Sequence, residues 1–432
     1  MREEKLMASP SVPAQPRMEN GLRSIAHRRS IAHRRILAIA PTSFFADYGC
    51  HVRILEQMRL LQRYGHQVRL CTYRSGRSVP SLNIRRTWPL PWRQGLEIGS
   101  SLHKIPYDLL LGPLALRQAL LLRPHLIHAY LHEGALLALP TSRLLGVPIL
   151  FDFQGSLTSE MIDHRSLKPG SWPHHLLRWL EGAINRWPTV ITASSHHAAD
   201  LLQSDSEIGA SHIRVVYDGV DGNRFHPDLL LHSDRKALLG ELDIPPHRRI
   251  VVYLGLLAEY QGVSLLLKAA AYLRTQRSDA HFLIMGFPRV EEYRRLARKL
   301  GVEDIATFTG RIPYDQAPRY LALGEVAVAP KLSATEGSGK LPNYMAMALP
   351  TVAFDTPVSR EYLGPAGCYA SPGDAQALAE QIEALLTNRK EAQDRGRRLR
   401  ERALQIYSWE VVEEQLEAAY SQALAEEAIR GV

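Results

Sequence analysis

The feature that most constrains the fold is an alternation repeated along nearly the whole chain. A short apolar run is followed by a loop of small and polar residues, then an amphipathic helical stretch, then another apolar run. The first such unit reads "RRILAIAP", "TSFFADYGC", "HVRILEQMRLLQRYGH", "QVRLCTY". Ile36–Ala40 is an apolar run between charges and a proline, the pattern of a strand covered on both faces. Val52, Leu55, Met58 and Leu61 recur every third residue, one face of a helix, and Gly65 ends it. Strand, helix and strand in series give a parallel sheet wound on both faces, with ligand sites at the carboxyl ends of the strands.

"HLIHAYLHEG", "VPILFDFQGS", "TVITASSHHAADLL" and "IRVVYDGVD" continue the series. From Gly222 to Pro246 the pattern lapses. A second series then begins with "RIVVYLGLL", "GVSLLLKAAAYL", "AHFLIMG" and "VEEYRRLARKLG", and further strands are read in "ATFTGRI", "AVAP", "TVAFD" and "CYAS". The expected organisation is a first Rossmann-like α/β domain over 36–225, a linker over 226–246, a second over 247–408, and a closing amphipathic helix over 409–432. A length of 432 residues suits two cores better than one.

The formal charge of +8 is concentrated at one end. Residues 1–35 hold eight Lys/Arg against three Glu, leaving only +3 for the rest, which argues against a nucleic-acid-binding core. This tail repeats "RSIAHR" at Arg23–Arg28 and Arg29–Arg34 and has no apolar core of a secretory signal. It is read either as a disordered extension or as a polybasic contact with an anionic membrane surface. Three scattered cysteines, Cys50, Cys71 and Cys368, give neither a disulfide framework nor a zinc pattern and fit a reducing cytoplasm. The longest apolar stretch, Asp108–His125, is interrupted by Pro113, Arg117 and Arg123 and falls short of the ~20 residues that span a bilayer. It is expected to form an amphipathic helix, either facing the core or lying at a membrane interface.

Chemistry is most concentrated in "TEGSGKLPNYMAMALPTVAFD", Thr335–Asp355. A strand ending at Pro330 is followed by a glycine-containing loop and a helix beginning near Leu341, with Pro342 in its first turn. Gly337 and Gly339 allow close backbone approach, the helix start offers N–H groups, and Lys340 adds a full charge, a combination suited to a phosphate or diphosphate. The spacing is not that of a P-loop. The alternative is an ordinary glycine pair with a surface lysine. "HLIHAYLHEG" gathers His125, His128, His132 and Glu133 but lacks a zinc-protease spacing, so His132 and Glu133 are read as cleft contacts at a strand end, or else as polar caps. Asp152, Gln154 and Gly155 in "DFQGS" sit similarly, with Ser156–Thr158 capping the next helix.

Taken in order, "GHQV", "VVYDGVDGNRFHP", "YLGLLAEYQGVSLLLKA", "FTGRIPYDQAPRYLALGEVAVAP", "GSGKLPNYMAMALPTVAFD" and "YSWEVVEEQLEAAY" resemble glycosyltransferase family 4, retaining enzymes of GT-B fold that use nucleotide-sugar donors. The resemblance covers about residues 36 to 425. It implies sugar transfer to a glycan or lipid-linked acceptor in cell-envelope polysaccharide or glycolipid synthesis, without cofactor or metal, by a cytoplasmic or peripherally membrane-bound enzyme. It also implies a catalytic set of Lys340, Glu336, Gln154 and Asp152. Donor contacts would be Gly49, Gly255, Gln261, Gly310, Arg311, Ile312, Lys331, Gly337, Ser338, Gly339, Leu341 and Asn343, with His132, Glu133 and Gly155 on the acceptor side. Three substitutions depart from the family, and its acceptor-loop histidine has no obvious match here. Leu256 and Gln261 stand where it carries an arginine and a lysine, and Asn343 replaces its second glutamate. Lys331 and Lys340 are the expected compensating charges. The competing readings are a catalytically silent relative serving as a scaffold and a nucleotide-sugar epimerase.

Overall fold

The computed structural model of the protein describes residues 33–90, 104–163, 166–276, 279–333 and 337–430. Both "RSIAHR" repeats apart from their last two residues, almost all of the basic tail, and Glu336 lie outside the described residues.

The first series runs β1 (Arg35–Ala40), α1 (Gly49–Arg63), β2 (Gln67–Thr72), β3 (Ile84–Arg86), α2 (Ile105–Leu122), β4 (Leu126–Tyr130), α3 (Leu131–Leu145), β5 (Ile149–Phe153), α4 (Leu157–Asp163), α5 (Trp172–Asn185), β6 (Val190–Ala193), α6 (His196–Ser206) and β7 (Ile213–Val215). After α7 (His232–Glu241) the second runs β8 (Arg249–Leu254), α8 (Val263–Gln276), β9 (Ala280–Met285), α9 (Val290–Lys299), β10 (Ala306–Gly310), α10 (Ala317–Leu321), β11 (Val326–Ala329), α11 (Lys340–Ala346), β12 (Thr351–Phe354), α12 (Pro357–Leu363), β13 (Cys368–Ala370), α13 (Ala375–Thr387), α14 (Arg389–Ile406) and α15 (Trp409–Arg430).

Each series forms one parallel sheet, in the orders β3-β2-β1-β4-β5-β6-β7 and β10-β9-β8-β11-β12-β13. β1 sets Ile36 opposite Val68 on one side and Leu126 on the other. β4 and β5 are buried along their full length, as two-sided coverage requires. In each sheet the strand order reverses once, between β1 and β4 and between β8 and β11, and the loops leaving those four strands diverge to open a crevice.

α7 lies within the segment expected as linker and packs on the second domain: Leu238 and Leu239 are buried, and Arg235 donates to the carbonyls of Ala322 and Leu323. α2 buries Tyr107, Leu111, Ala115, Ala119 and Leu122 and packs on β1 and β2, so one face is core despite Pro113. Among the described helices it alone is long and apolar enough to cross a membrane by composition. Its 18 residues rise only about 27 Å.

α15 leaves the second domain and packs against β5, β6 and β7 of the first. Val412, Leu416, Ala419 and Ala423 are wholly buried. The Tyr420 hydroxyl is hydrogen-bonded with His128 Nδ1 at 2.6 Å, and Glu417 meets His66 Nε2 at 3.0 Å. The two sheets are thereby held through one shared helix as well as through the loops of the crevice.

Candidate active site

The crevice encloses about 1770 Å3, open solvent included. Its first wall starts with the loop after β1. Gly49 opens α1, and a Cβ placed there would touch nothing within 4 Å, so the backbone of this turn faces open space in the cleft. Behind it, His51 Nδ1 accepts the Ala46 N–H at 2.8 Å, which places the ring proton on Nε2, toward Thr42 Oγ1 at 2.6 Å. Burial, and then the charges of Arg311, Lys104 and Arg86, hold His51 neutral, far below the usual imidazole range.

One helical turn on, Arg53 organises the floor. Its guanidinium donates twice to Asp152, at 2.9 and 2.7 Å, once to Asp218 at 3.1 Å and once to the Val216 carbonyl at 2.9 Å. Asp152 also accepts from Thr192 Oγ1 and from Gln154 Nε2. Burial alone would push the Asp152 carboxyl up, but Arg53 outweighs it and the group stays ionised below its ordinary range. Asp152 is fully buried and does not line the cleft. This corrects its assignment as a catalytic group: its lone pairs are spent on Arg53, Thr192 and Gln154, so it positions Gln154, which does reach the cleft. Asp218, on the "YDGVD" turn after β7, reaches the cleft in its place.

The N-terminal ends of α3 and α4, with the residue just before α2, form the outer rim of this wall. Buried Lys104 donates to Glu133 at 2.6 Å. Burial opposes both charges, yet each holds the other ionised, the lysine raised and the glutamate lowered. His132 packs edge-on to Phe151 and Phe153, and Gln154, Gly155 and Glu160 complete this side. Glu181 caps α4 by accepting from Leu157 N, Thr158 N and Thr158 Oγ1. His125 and His128 take no part: the first accepts the Arg35 N–H, the second binds Tyr420. Among the described residues no three of His, Cys, Asp or Glu gather as a metal set.

The second wall is built by close backbone packing at the switch point. A Cβ on Gly262, at φ +75°, would lie 1.8 Å from the Pro330 carbonyl oxygen, and one on Gly286 would lie 1.9 Å from that of Gly255. No other residue fits there. The Leu254 N–H donates to the Tyr344 hydroxyl at 2.6 Å, tying the end of β8 to α11. Lys340, first residue of α11, extends across this turn. Its ammonium donates to Gln261 Oε1 at 2.8 Å, stands 4.3 Å from the Tyr253 ring centre, and lies where a Gly255 side chain would be. Asn343, one turn later, also lines the cleft.

Several expectations for this wall need correction. α11 begins at Lys340, beside the expected start near Leu341, and has seven residues. The Leu341 side chain is buried, and its N–H donates to the Ser338 carbonyl at 2.8 Å, so it is not offered to a ligand. Lys331 lines the cleft, but its ammonium donates to the Gly337 carbonyl at 2.6 Å and fastens its own loop. Gly310 lies outside the cleft lining, its carbonyl accepting the Gly286 N–H, and Ile312 lies within it. Arg311 also lies outside the lining and bridges the domains, donating to Asp47 Oδ2 at 2.7 Å. Asp47 further accepts the Tyr314 N–H and pairs with Arg77; burial opposes its charge, and these donors lower its pKa nonetheless.

The walls touch at two further places. A Cβ on Gly337 would sit 2.5 Å from Ser194 Oγ and 3.1 Å from Asp218 Oδ2, so the loop glycine is needed for the domains to approach. Glu361 on α12 accepts the N–H groups of His196 and His197, capping α6 from the opposite domain. The cleft therefore collects Gly49, His132, Glu133, Gln154, Gly155, Gly255, Gln261, Ile312, Lys331, Gly337, Ser338, Gly339, Lys340 and Asn343. Sequence reasoning missed Arg53, Lys104, Asp218 and Trp409, each brought in from a helix or turn whose polar residue had no local signature.

Comparison with known proteins gives the family and the fold. Residues 48–219 match the family described as "Glycosyl transferase 4-like domain", and residues 248–388 match "Glycosyl transferases group 1". Among curated proteins, the chain is 29% identical over 266 residues to the MMP alpha-(1->4)-mannosyltransferase of Mycolicibacterium hassiacum, covering 57% of this chain and 60% of that protein. It is 25% identical to the alpha-D-kanosaminyltransferase of Streptomyces kanamyceticus, covering 57% and 63%. The matched region thus spans about 60% of these relatives' length. Among solved structures, a sucrose-phosphate synthase of Thermosynechococcus elongatus superposes with a TM-score of 0.76 at 19% identity over 91% of this chain and all of the other. Anabaena HepE in complex with UDP-glucose gives 0.73 at 15% identity over 90% and 100%. These two likenesses are of fold.

Proposed function

We propose, for a chain that belongs to glycosyltransferase family 4 and has the two-sheet GT-B architecture, that it transfers a sugar from a nucleoside-diphosphate donor to a hydroxyl of a glycan or lipid-linked acceptor, with retention of anomeric configuration. The curated relatives that transfer mannosyl and kanosaminyl groups, and the neighbour bound to UDP-glucose, support this class of reaction. The donor is assigned to the second wall and the acceptor to the first.

One observation carries the reading: the Lys340 ammonium stands 2.8 Å from Gln261 and beside Gly255, at the β8–β11 switch point, in the place left uncharged by Leu256 and Gln261. A leaving diphosphate there would have its developing charge met by that ammonium in a partly dehydrated cleft, which is where such a charge is worth most. Lys340 thus does the work that a divalent cation performs elsewhere, and no cofactor is called for. Asn343 and Gln261 offer amides to sugar or ribose hydroxyls. Asp218, oriented by Arg53, faces the donor loop and holds the acceptor hydroxyl or the transferred sugar. Glu133 and Gln154 line the approach of the acceptor. Closure through Asp47–Arg311 keeps water from the donor.

The test is a thermal-shift panel of nucleoside diphosphates, followed by incubation with the matching nucleotide sugars. The expected result is stabilisation by one diphosphate and release of it from its sugar conjugate. No shift with any of them overturns the donor assignment. A shift without turnover favours the scaffold reading that the Leu256, Gln261 and Asn343 departures recommend. Reversible isomerisation of the free nucleotide sugar favours an epimerase.

A further inference from the structure

Three helices cover one side of the first sheet in the order α2, α3, α5, each packed on the next. Their inner faces are core. Their outer faces are also apolar, which a helix on a soluble surface does not need. On α5, Trp172, Leu176 and Trp179 stand one turn apart and are 75%, 45% and 68% exposed. Leu109 on α2 and Leu144 on α3 are 71% and 65% exposed. Of the fifteen large apolar residues that the described structure leaves exposed, nine lie on these three helices. Scattered exposed leucines need no explanation; a contiguous patch does.

The charges on the same faces have one sign. The exposed ionised side chains of α2, α3 and α5 are Arg117, Arg143 and Arg178, and Lys168 is exposed just before α5. The carboxylates on these helices are turned away: Asp108 accepts from Tyr73, Glu133 from Lys104, and Glu181 from the start of α4. Arg178 lies 3.5 Å from exposed Asp205, a weak surface pair. Tryptophan with basic residues around an apolar stripe is the composition of a surface that rests in the headgroup region of a bilayer. A second copy of the chain fits less well, because a two-fold contact would set these arginines against their own equivalents.

We infer that the outer face of α2, α3 and α5 is a docking surface for an anionic lipid bilayer, with Trp172 and Trp179 as its interfacial anchors. The face adjoins the outer rim of the first wall, since Lys104 and His132–Glu133, which line the cleft, stand at the N-terminal ends of α2 and α3. The inference does not depend on the transfer reading, and its test involves no turnover.

Co-sedimentation of the full chain with vesicles decides it. Wild type is expected to sediment with vesicles of equal phosphatidylglycerol and phosphatidylcholine and to remain in solution with phosphatidylcholine alone. Trp172→Ala/Trp179→Ala is expected to lower partitioning at least tenfold, and Arg178→Ala about fivefold. Both anchors are mainly in solvent, so the double variant keeps the wild-type melting temperature, checked beside the assay. Sedimentation of the double variant like wild type assigns the contact to another part of the chain and overturns the inference. Indifference of wild type to phosphatidylglycerol overturns it, as does a lipid-free dimer that the double variant abolishes.

Discussion

Replacing Lys340 by methionine keeps the side chain's apolar length and removes its charge. Tyr344 still ties α11 to β8, while the ammonium's contacts with Gln261 Oε1 and the Tyr253 ring go with the charge. The loss is one hydrogen bond from a charged donor, worth about 1.5–3 kcal/mol. It corresponds to roughly a 10- to 150-fold rise in the dissociation constant of a nucleoside diphosphate, with a similar or larger fall in kcat/KM for the sugar donor. Calorimetry with the diphosphate and with the bare nucleoside separates the placement from a general loss of fit, because only the first touches Lys340. The partner residue gives a sharper control. Gln261 Oε1 is 2.8 Å from the ammonium, so Gln261→Lys combined with Lys340→Gln restores the charge at the other end of the same pair. The double exchange is expected to recover diphosphate affinity to within about tenfold of wild type. Equal weakening of diphosphate and nucleoside by Lys340→Met, no weakening at all, or a double exchange no better than the single variant would refute the diphosphate placement.

Arg53→Met strands Asp152, fully buried, without its counter-charge, and should cost about 3–5 kcal/mol of stability at pH 7.5 in denaturant titrations. In wild type the Asp152 pKa is lowered, so the pair stabilises the fold above the unfolded value near ~4 and is lost only below it. In the variant the stranded carboxyl is pushed up by burial and protonates readily, so the deficit should shrink by pH 5; a deficit constant with pH contradicts the account. Gly49→Ala adds a methyl that meets nothing in the protein and projects into the cleft, so the melting temperature should hold while turnover falls on the order of tenfold; equal loss of both would place the glycine in folding alone. His128 and His281 are held neutral down to about pH 4, by burial first and then by Arg53 and Arg248 respectively. Because unfolding releases them to take up protons, stability is full above about 6.5 and falls as pH drops toward 4, by up to about 1.4 kcal/mol per pH unit for each. His128→Gln should flatten that slope by one proton's share in melting curves from pH 7.5 to 5; an unchanged slope would show that His128 does not titrate in this range.

The fold was legible because its signals are local. Apolar runs such as Ile36–Ala40 and Ile250–Leu254, each followed by a helix of regular period, can be buried on both faces only in a parallel sheet wound with helices. The glycine–lysine loop was legible for the same reason: Gly337, Gly339, Lys340 and Asn343 are neighbours in the chain and all reach the cleft. Asp152 was misjudged because sequence shows that a carboxylate ends a strand but not that an arginine 99 positions away has claimed it. Leu341 was misjudged because only the folded turn shows its N–H donating back to the Ser338 carbonyl.

What the chain determined by itself is therefore the pair of sheets, their succession along the chain, and the glycine–lysine loop between β11 and α11. Periodicity and turn chemistry act over a few residues and need no partner. What only the tertiary structure decided is who meets whom across the crevice. Arg53 with Asp152 and Asp218, Arg311 with Asp47, Glu361 with the start of α6, and Lys340 with Gln261 join positions 79 to 264 residues apart. Burial of a charge is tolerated only where the fold delivers its partner, and that delivery is a property of the packed domains rather than of any stretch of sequence.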